Sequence, residues 1–349
     1  MLRNVPIEMS GKMANMSVVA AFMVVVLHAG EPTVVGSSGW WWAEVCKMVS
    51  KVAVPYFFVA PGFFLAGHEG ENGWWRKEVS KRIRSLFVPF VLWCLIWWFF
   101  YLPFGIYADY LHSRPFGYSL SIFEGKWIKI LGLNLFQCPF YSPMWFLRAL
   151  FLMVIMSPAI SYMAKVWGGG GVILIFIAYW LMAPDARRND EWRWFFRHGV
   201  SLFGMFWFAL GMYLRKRMRD WTDLYPWGVW GAVASIGIAM SLLAGSIAAH
   251  FSRFDMSISL EPFFVLFALY GGFFFVSSSK WADILTNNSF PVYLIHSFFI
   301  FIIGFVLKNQ DSWAILSARV LFAFVISLCA AFTIKKLSPR FATMLFGGR

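Results

Sequence analysis

Apolar side chains follow one another in long runs along this chain, and short polar or basic stretches separate the runs. The first clear run covers residues 13–30, where apolar residues dominate and His28 is the one ionisable side chain. Because a helix rises about 1.5 Å per residue, this run would measure roughly 27 Å, close to the thickness of a bilayer core. It therefore predicts a membrane-spanning helix with a histidine near one end.

Nine further runs suggest membrane spans, so the pattern predicts an all-α, polytopic membrane protein, a single bundle of about ten transmembrane helices. Neither an internal repeat nor a long linker divides the chain, and we predict one membrane-embedded domain over residues 1–349. The later runs cover residues 45–66, 86–103, 144–163, 171–183, 200–214, 227–249, 262–276, 290–307 and 313–334.

Lysines and arginines in the short connections indicate the orientation of such a bundle, because they favour the cytoplasmic side. If both termini lie inside, the inner segments hold 17 of the 30 basic residues and the outer loops hold 11. We therefore predict that both termini are cytoplasmic.

The composition agrees with a membrane protein. Hydrophobic residues make up 60% of the chain and charged residues 13%, whereas soluble domains carry about 25% charge. The net charge of +13 could suggest nucleic acid, but the basic residues lie in short blocks between apolar spans, which is typical of membrane topology. We expect the lipid bilayer as a partner and no nucleic acid. The four cysteines are far apart without a CxxC pair, so we expect no metal site.

Two histidines and one carboxylate are candidates for chemistry. His28 ends the first predicted span, Glu31 follows it closely, and His296 lies within the ninth span. Ionisable side chains inside a membrane are costly and commonly functional. A neutral imidazole can act as a general base, and an adjacent carboxylate can orient it. The alternatives are an interfacial His28, a structural His296 that is hydrogen-bonded between helices, and a solvated Glu31.

Basic residues mark two other places. Lys81, Arg82 and Arg84 lie in a block before the third span, and Arg148 lies inside the fourth. Guanidinium and ammonium groups at the inner mouth of a bundle suit phosphates, although the block could equally be a topology anchor and Arg148 could extend to the interface. Residues 54–67 contain Pro55, Pro61 and Gly62, which we expect to interrupt the second span.

Taken together, these stretches resemble the acyltransferase 3 family of membrane proteins. The family's first helix typically ends in Val-Val-x-x-His, matched here by residues 24–28, and its second helix reads Val-Pro-x-Phe-Phe-x-x-Ser-Gly-Phe, matched by residues 54–63. An Arg-x-x-Arg-type cluster opens its third helix, matched by residues 81–84, and Trp-Phe-Leu and Tyr-Leu-x-His stretches follow at 145–147 and 293–296.

The chain departs from the family pattern at two positions. Ser17 stands eleven residues before His28, where the family usually has arginine, and Pro61 replaces the serine before Gly62. The missing arginine bears on how an acyl donor is held. Lys12, Asn15 and Arg148 are the candidates to compensate for it.

The resemblance implies an integral-membrane enzyme of the bacterial cytoplasmic (inner) membrane. It would move an acyl group, most simply acetyl, from cytoplasmic acyl-CoA to a hydroxyl of a carbohydrate or cell-surface glycan. A transporter or flippase, or a non-catalytic acyl-CoA-binding member, is the alternative, and the oligomeric state stays open, a homo-oligomer included. The implied roles are catalysis by His28 and Glu31, donor binding by Lys81, Arg82, Arg84 and the Ser17 position, and acceptor binding by Arg148 and His296.

Overall fold

The structure is a computed structural model that describes residues 7–28, 34–111, 144–181, 201–217, 281–307 and 311–348, with short pieces between 231 and 279. The described residues form helices and contain no strand, which confirms the predicted all-α class. In chain order the helices are α1 (Ile7–Leu27), α2 (Ser38–Ser50), α3 (Ala53–Ala66), α4 (Trp74–Arg82), a π-helical turn (Ile83–Phe87), α5 (Val88–Leu111), α6 (Trp145–Val166), α7 (Gly169–Leu181), α8 (Leu202–Arg217), α9 (Asp283–Thr286), α10 (Ser289–Val306), α11 (Trp313–Leu337) and α12 (Pro339–Phe346).

Four helical stretches in the described part of the chain are long and apolar enough to cross a membrane. They are Met9–Leu27, Ser38–Ala66, Trp145–Val166 and Trp313–Leu337, and each falls on a predicted run. Gly169–Tyr179 and Ser289–Gly304 are shorter apolar helices. Most of the predicted span at 227–249 and about half of the one at 262–276 lie outside the described residues. The total of about ten spans and the cytoplasmic termini stay predictions.

The second span is interrupted, but not where its prolines predict. The break lies between α2 and α3 at Lys51 and Val52, and α3 is helical through Pro55, Pro61 and Gly62. The expectation that these three residues interrupt the helix is therefore wrong. Pro55 lies in the first turn, where an N–H has no partner within the helix, so its ring removes no hydrogen bond. Pro61 lies inside the helix, which a packed membrane bundle tolerates.

Glycines bring α3 and α8 into backbone contact. A Cβ on Gly211 would lie 2.9 Å from the carbonyl carbon of Val59, and one on Gly62 would lie 3.1 Å from that of Phe208. Small residues permit this close approach between membrane helices. Gly67, directly after α3, meets the Arg215 side chain near the end of α8, so the two helices run in the same direction.

A buried amide attaches α1 to a segment late in the chain. The Asn15 side chain is fully buried, and its Nδ2 donates to the carbonyls of Ser277 at 3.0 Å and Ser279 at 2.8 Å. Its Oδ1 accepts from the backbone N–H of Trp281 at 2.8 Å. The first half of α1 therefore lies beside the segment that leads into α9 and α10.

Helices α10 and α11 form an antiparallel pair with a polar contact at each end. The buried Arg319 of α11 donates to the Leu307 carbonyl at the end of α10. At the other end, Lys335 Nζ donates to the Asn287 carbonyl at 2.7 Å, just before α10 begins. Since α12 directly follows α11, α12 lies at the end of the bundle where α10 begins.

Candidate active site and basic cleft

Two histidines that are distant in sequence lie side by side. His28 follows the last residue of α1, and His296 lies near the middle of α10. Their ring centroids are 5.4 Å apart, with the ring planes at 40°. His296 is fully buried, whereas His28 is partly exposed. The structure thus brings together the predicted base and a residue that the resemblance assigned to acceptor binding.

The hydrogen bonds of His296 engage both of its ring nitrogens. Nδ1 lies 2.6 Å from the Tyr293 carbonyl oxygen, which can only accept, so Nδ1 carries the proton and donates. In this neutral tautomer Nε2 is an acceptor, and the Ser297 hydroxyl donates to it at 3.0 Å. Both partners belong to α10. Its own helix therefore holds the His296 ring in one orientation, next to the His28 ring.

His28 has a different environment. Its backbone N–H donates to the carbonyls of Val24 at 3.3 Å and Val25 at 3.2 Å, so the residue completes the last turn of α1. Among the described residues, the imidazole contacts the His296 ring and makes no hydrogen bond. Its ring nitrogens are thus available to a substrate in the described part of the site. Glu31, the predicted orienting carboxylate, lies outside the described residues.

A cluster of aromatic rings next to His296 connects helices α3, α6 and α10. The Tyr293 ring lies 6.0 Å from the His296 ring, 5.5 Å from Phe146 of α6 and 5.8 Å from Phe57 of α3. Phe57 and Phe146 are themselves 5.8 Å apart. The Trp-Phe-Leu and Tyr-Leu-x-His stretches, separate in the sequence, therefore meet here. Arg148 follows Phe146 in α6 and is partly buried.

Ser17 belongs to the packing between α1 and α3. Its hydroxyl donates to the Met13 carbonyl at 2.9 Å and lies 3.2 Å from the hydroxyl of the buried Tyr56, which also donates to Met13. Ser17 lies eleven residues before His28, so it is about 16 Å away along the helix axis and on nearly the same face. Its hydroxyl is thus engaged within the bundle.

Two of the residues expected to compensate for the missing arginine bind neighbouring chain segments. Lys12 Nζ donates to the Phe273 carbonyl at 3.3 Å and lies 5.8 Å from the centre of that residue's ring. Asn15 binds the segment after it, as described above. Both side chains therefore fasten α1 to residues 273–281.

The predicted phosphate-binding block lines an open cleft of about 770 Å³. Helix α4 and the π-helical turn form one side of the cleft, and the C-terminal residues after α11 form the other. Arg76, Lys77, Lys81 and Arg84 are exposed, so four cationic side chains face a common space. The residues that line the cleft are Arg76, Lys77, Ser80, Lys81, Arg82, Arg84, Ser85, Thr343, Gly347 and Gly348.

Arg82 differs from the other cations of the cleft. Its Nη2 lies 3.4 Å from Oε2 of Glu78, one turn earlier in α4. The Glu78 residue is 6% exposed, so the guanidinium neutralises a buried carboxylate. Lys81 and Arg84 are consequently better suited than Arg82 to binding an anion from solution.

Sequence reasoning missed several residues of these sites. In the sequence, Glu78 is one more charge in a basic block. Its ion pair with Arg82 depends on burial, and α4 becomes buried there only when it packs against the rest of the bundle. Ser297 lacks a motif of its own. The glycine pair at 347–348 after an apolar helix does signal a helix end, but not contact with residues some 260 positions earlier.

A family model described as an acyltransferase domain, acyltransferase 3, matches residues 16–335, nearly the whole chain. The chain therefore belongs to the acyltransferase 3 family, as the resemblance indicated, and is a membrane acyltransferase. Comparisons with curated proteins and with solved structures found no match. Within the described residues, no group of three or more His, Cys, Asp or Glu side chains could hold a metal ion.

Proposed function

We propose that the protein moves an acetyl group, or another short acyl group, from cytoplasmic acyl-CoA to a hydroxyl of a cell-surface carbohydrate. The observation that carries the proposal is the pairing of His28, whose ring makes no hydrogen bond to a described residue, with the fixed ring of His296. A general base needs a free lone pair, and a rigid neighbouring group helps to hold the substrate in a reactive orientation. Such a pair at the end of one membrane helix supports base catalysis.

The proposed reaction has two steps. The His28 imidazole takes the proton of the acceptor hydroxyl as that oxygen attacks the thioester carbonyl carbon. The tetrahedral intermediate then collapses, the C–S bond breaks, and the imidazolium returns the proton to the leaving thiolate. The products are the ester and free coenzyme A. His296 orients the reacting groups and keeps its own hydrogen bonds throughout.

The basic cleft supports coenzyme A as the carrier of the acyl group. The nucleotide end of coenzyme A carries a diphosphate and a 3′-phosphate, and four exposed cations in one cleft match several phosphate charges. Lys81 and Arg84 are the principal ligands in this proposal, and Arg82 helps to hold α4 through Glu78.

The geometry supports donor entry from the end of the bundle that bears the cleft. Helix α12 lies at the end where α10 begins, and His296 is seven residues into α10, roughly 10 Å along its axis. Helix α1 begins at the same end, and His28 lies at its far end. The extended arm of coenzyme A would reach from the cleft toward the histidines, while the acceptor would enter from the other side.

The test uses purified protein in vesicles with acetyl-CoA that carries a labelled acetyl group. We expect free thiol release and label transfer to a glycan acceptor. In the double variant Lys81→Ala/Arg84→Ala, the donor KM should rise by about tenfold or more, with weaker salt dependence, because phosphate attraction is screened by salt. Lys165→Ala, which removes an exposed charge at the end of α6, is the control and should leave the donor KM unchanged.

Three outcomes would contradict the proposal. Glycan flux into the vesicles without acylation would indicate a transporter or flippase. Coenzyme A binding without turnover of the thioester would indicate a non-catalytic binding protein. An unchanged donor KM in the double variant would reduce the basic block to a topology anchor.

A further inference from the structure

The C-terminal helix is docked firmly on the body of the bundle. In α12, Ala342 and Leu345 are buried and Phe346 is completely inaccessible. The indole Nε1 of Trp93, in α5, donates to the Leu345 carbonyl at 3.1 Å in a buried hydrogen bond. This bond also provides a partner for a carbonyl at the end of α12, where carbonyls lack partners within the helix. Helix α12 is therefore held against the bundle through these contacts.

Gly347, at the end of α12, must be glycine for two independent reasons. Its φ is +68°, a left-handed conformation that residues with a Cβ adopt only at a cost. In addition, an added Cβ would lie 2.6 Å from Cα and 2.7 Å from the carbonyl carbon of Ser85. The backbone of the C-terminal segment thus presses directly on the backbone of the π-helical turn.

The contact falls on the part of the cleft that carries a principal cation. Ser85 follows Arg84 in the π-helical turn, and both line the cleft. A single π-helical turn within an α-helical run is frequently found at functional sites, because it shifts the side chains that follow. Because Arg84 and Ser85 are adjacent, a displacement of the Ser85 backbone would also displace the point from which the Arg84 side chain extends into the cleft.

The family match ends at residue 335, so α12 and the two glycines after it lie beyond the matched region. We propose that residues 339–348 form the second wall of the donor cleft, and that Gly347 is a positioning residue for binding the phosphates of acyl-CoA. The inference rests on the proposed function, since it assumes that the cleft binds the donor. It adds that donor recognition depends on a segment outside the family domain.

The experiment compares two alanine substitutions at glycines with the same backbone conformation. Gly347 has φ 68° and ψ 24°, and Gly73, the residue before α4, has φ 68° and ψ 21°. A Cβ on Gly73 would meet nothing within 4 Å. Gly347→Ala therefore adds both the left-handed cost and the collision with Ser85, whereas Gly73→Ala adds only the left-handed cost.

We expect Gly347→Ala to raise the donor KM by about tenfold, the effect of losing one charged contact, with kcat within about threefold of the parent. Gly73→Ala should leave the donor KM nearly unchanged. If Gly347→Ala fails to fold, Trp93→Phe removes the hydrogen bond to Leu345 and should raise the donor KM with the same pattern. A general loss of stability would instead lower the amount of active protein and leave KM as it was.

The outcomes separate this inference from the proposed function. If Arg84→Ala raises the donor KM but Gly347→Ala and Trp93→Phe do not, the second wall has no role and the inference alone is wrong. If none of these variants changes KM, the cleft does not bind the donor and both ideas fail. An anionic lipid headgroup has the same phosphate chemistry, so coenzyme A binding is also measured in vesicles with and without phosphatidylglycerol. Equal affinity in both supports the donor, and binding abolished by the lipid assigns the cleft to the headgroup.

Discussion

Replacement of His28 by alanine is the most direct test of the chemistry. The substitution removes the imidazole whose nitrogens make no hydrogen bond to a described residue, and it leaves the basic cleft untouched. We expect kcat to fall by about 10²–10⁴-fold, the usual contribution of a positioned general base. The dissociation constant of coenzyme A should stay the same, because the cations that we propose to bind it lie around α4.

The size of the loss depends on whether His296 can replace the missing base. In the structure it cannot, because Nδ1 carries a proton that is bound to the Tyr293 carbonyl and Nε2 is occupied by the Ser297 hydroxyl. To serve as a base, His296 would have to give up the bond to Ser297 and turn within a fully buried site. We therefore expect that adding His296→Gln to His28→Ala lowers the remaining activity by at most about tenfold.

The assay combines thiol release from acetyl-CoA with calorimetric binding of coenzyme A to the purified variants. Phe22→Ala is the matched control, because it removes an aromatic contact of α1 with Phe324, at 5.3 Å between ring centroids, and leaves the histidines in place. Phe22→Ala should retain kcat within about threefold. Near-normal turnover in His28→Ala would refute its assignment as the base.

Three further predictions concern the cleft, the packing and the topology. Glu78→Gln removes a buried negative charge beside Arg82, so the affinity for coenzyme A should rise by about two- to fivefold in low salt. Unchanged affinity would argue against electrostatic attraction between the cleft and coenzyme A. Gly211→Ala should destabilise the protein by about 1–3 kcal/mol in thermal unfolding, whereas Gly170→Ala, where a Cβ meets nothing within 4 Å, should not. Equal stability of the two variants would contradict the close contact between α3 and α8. A cysteine at Arg340 should be labelled only from the cytoplasmic side, and labelling from outside would overturn the predicted orientation.

Local patterns in the sequence were sufficient to predict the all-α class and several of the apolar helices, and they located the stretches that form the two candidate sites. An apolar run of membrane length that ends in His28 becomes α1, and a dense basic block becomes α4 with its cleft. Both features depend on residues close in sequence, where hydrophobicity and charge act directly on helix formation and topology. The membrane acyltransferase class was likewise readable from motifs in the right order.

Features that depend on contacts between distant segments were not predictable. Nothing in residues 288–298 indicates that His296 faces His28 rather than lipid or another helix, since the pairing requires α1 and α10 to pack in one particular rotation. The predicted break at Pro55 and Pro61 failed for a related reason. Proline disfavours a helix locally, but its position in the first turn and the packing of α3 against α8 decide whether the helix bends.

The buried amide of Asn15 has a consequence for the order of assembly. Its side-chain bonds all go to residues 277–281, about 260 positions later, so when α1 emerges from the ribosome these partners do not yet exist. An unsatisfied amide in an apolar environment costs about 1–3 kcal/mol, and this cost is removed only after residues 277–281 have been added. The attachment of the first half of α1 to the segment before α9 and α10 therefore forms only late in the synthesis of the chain.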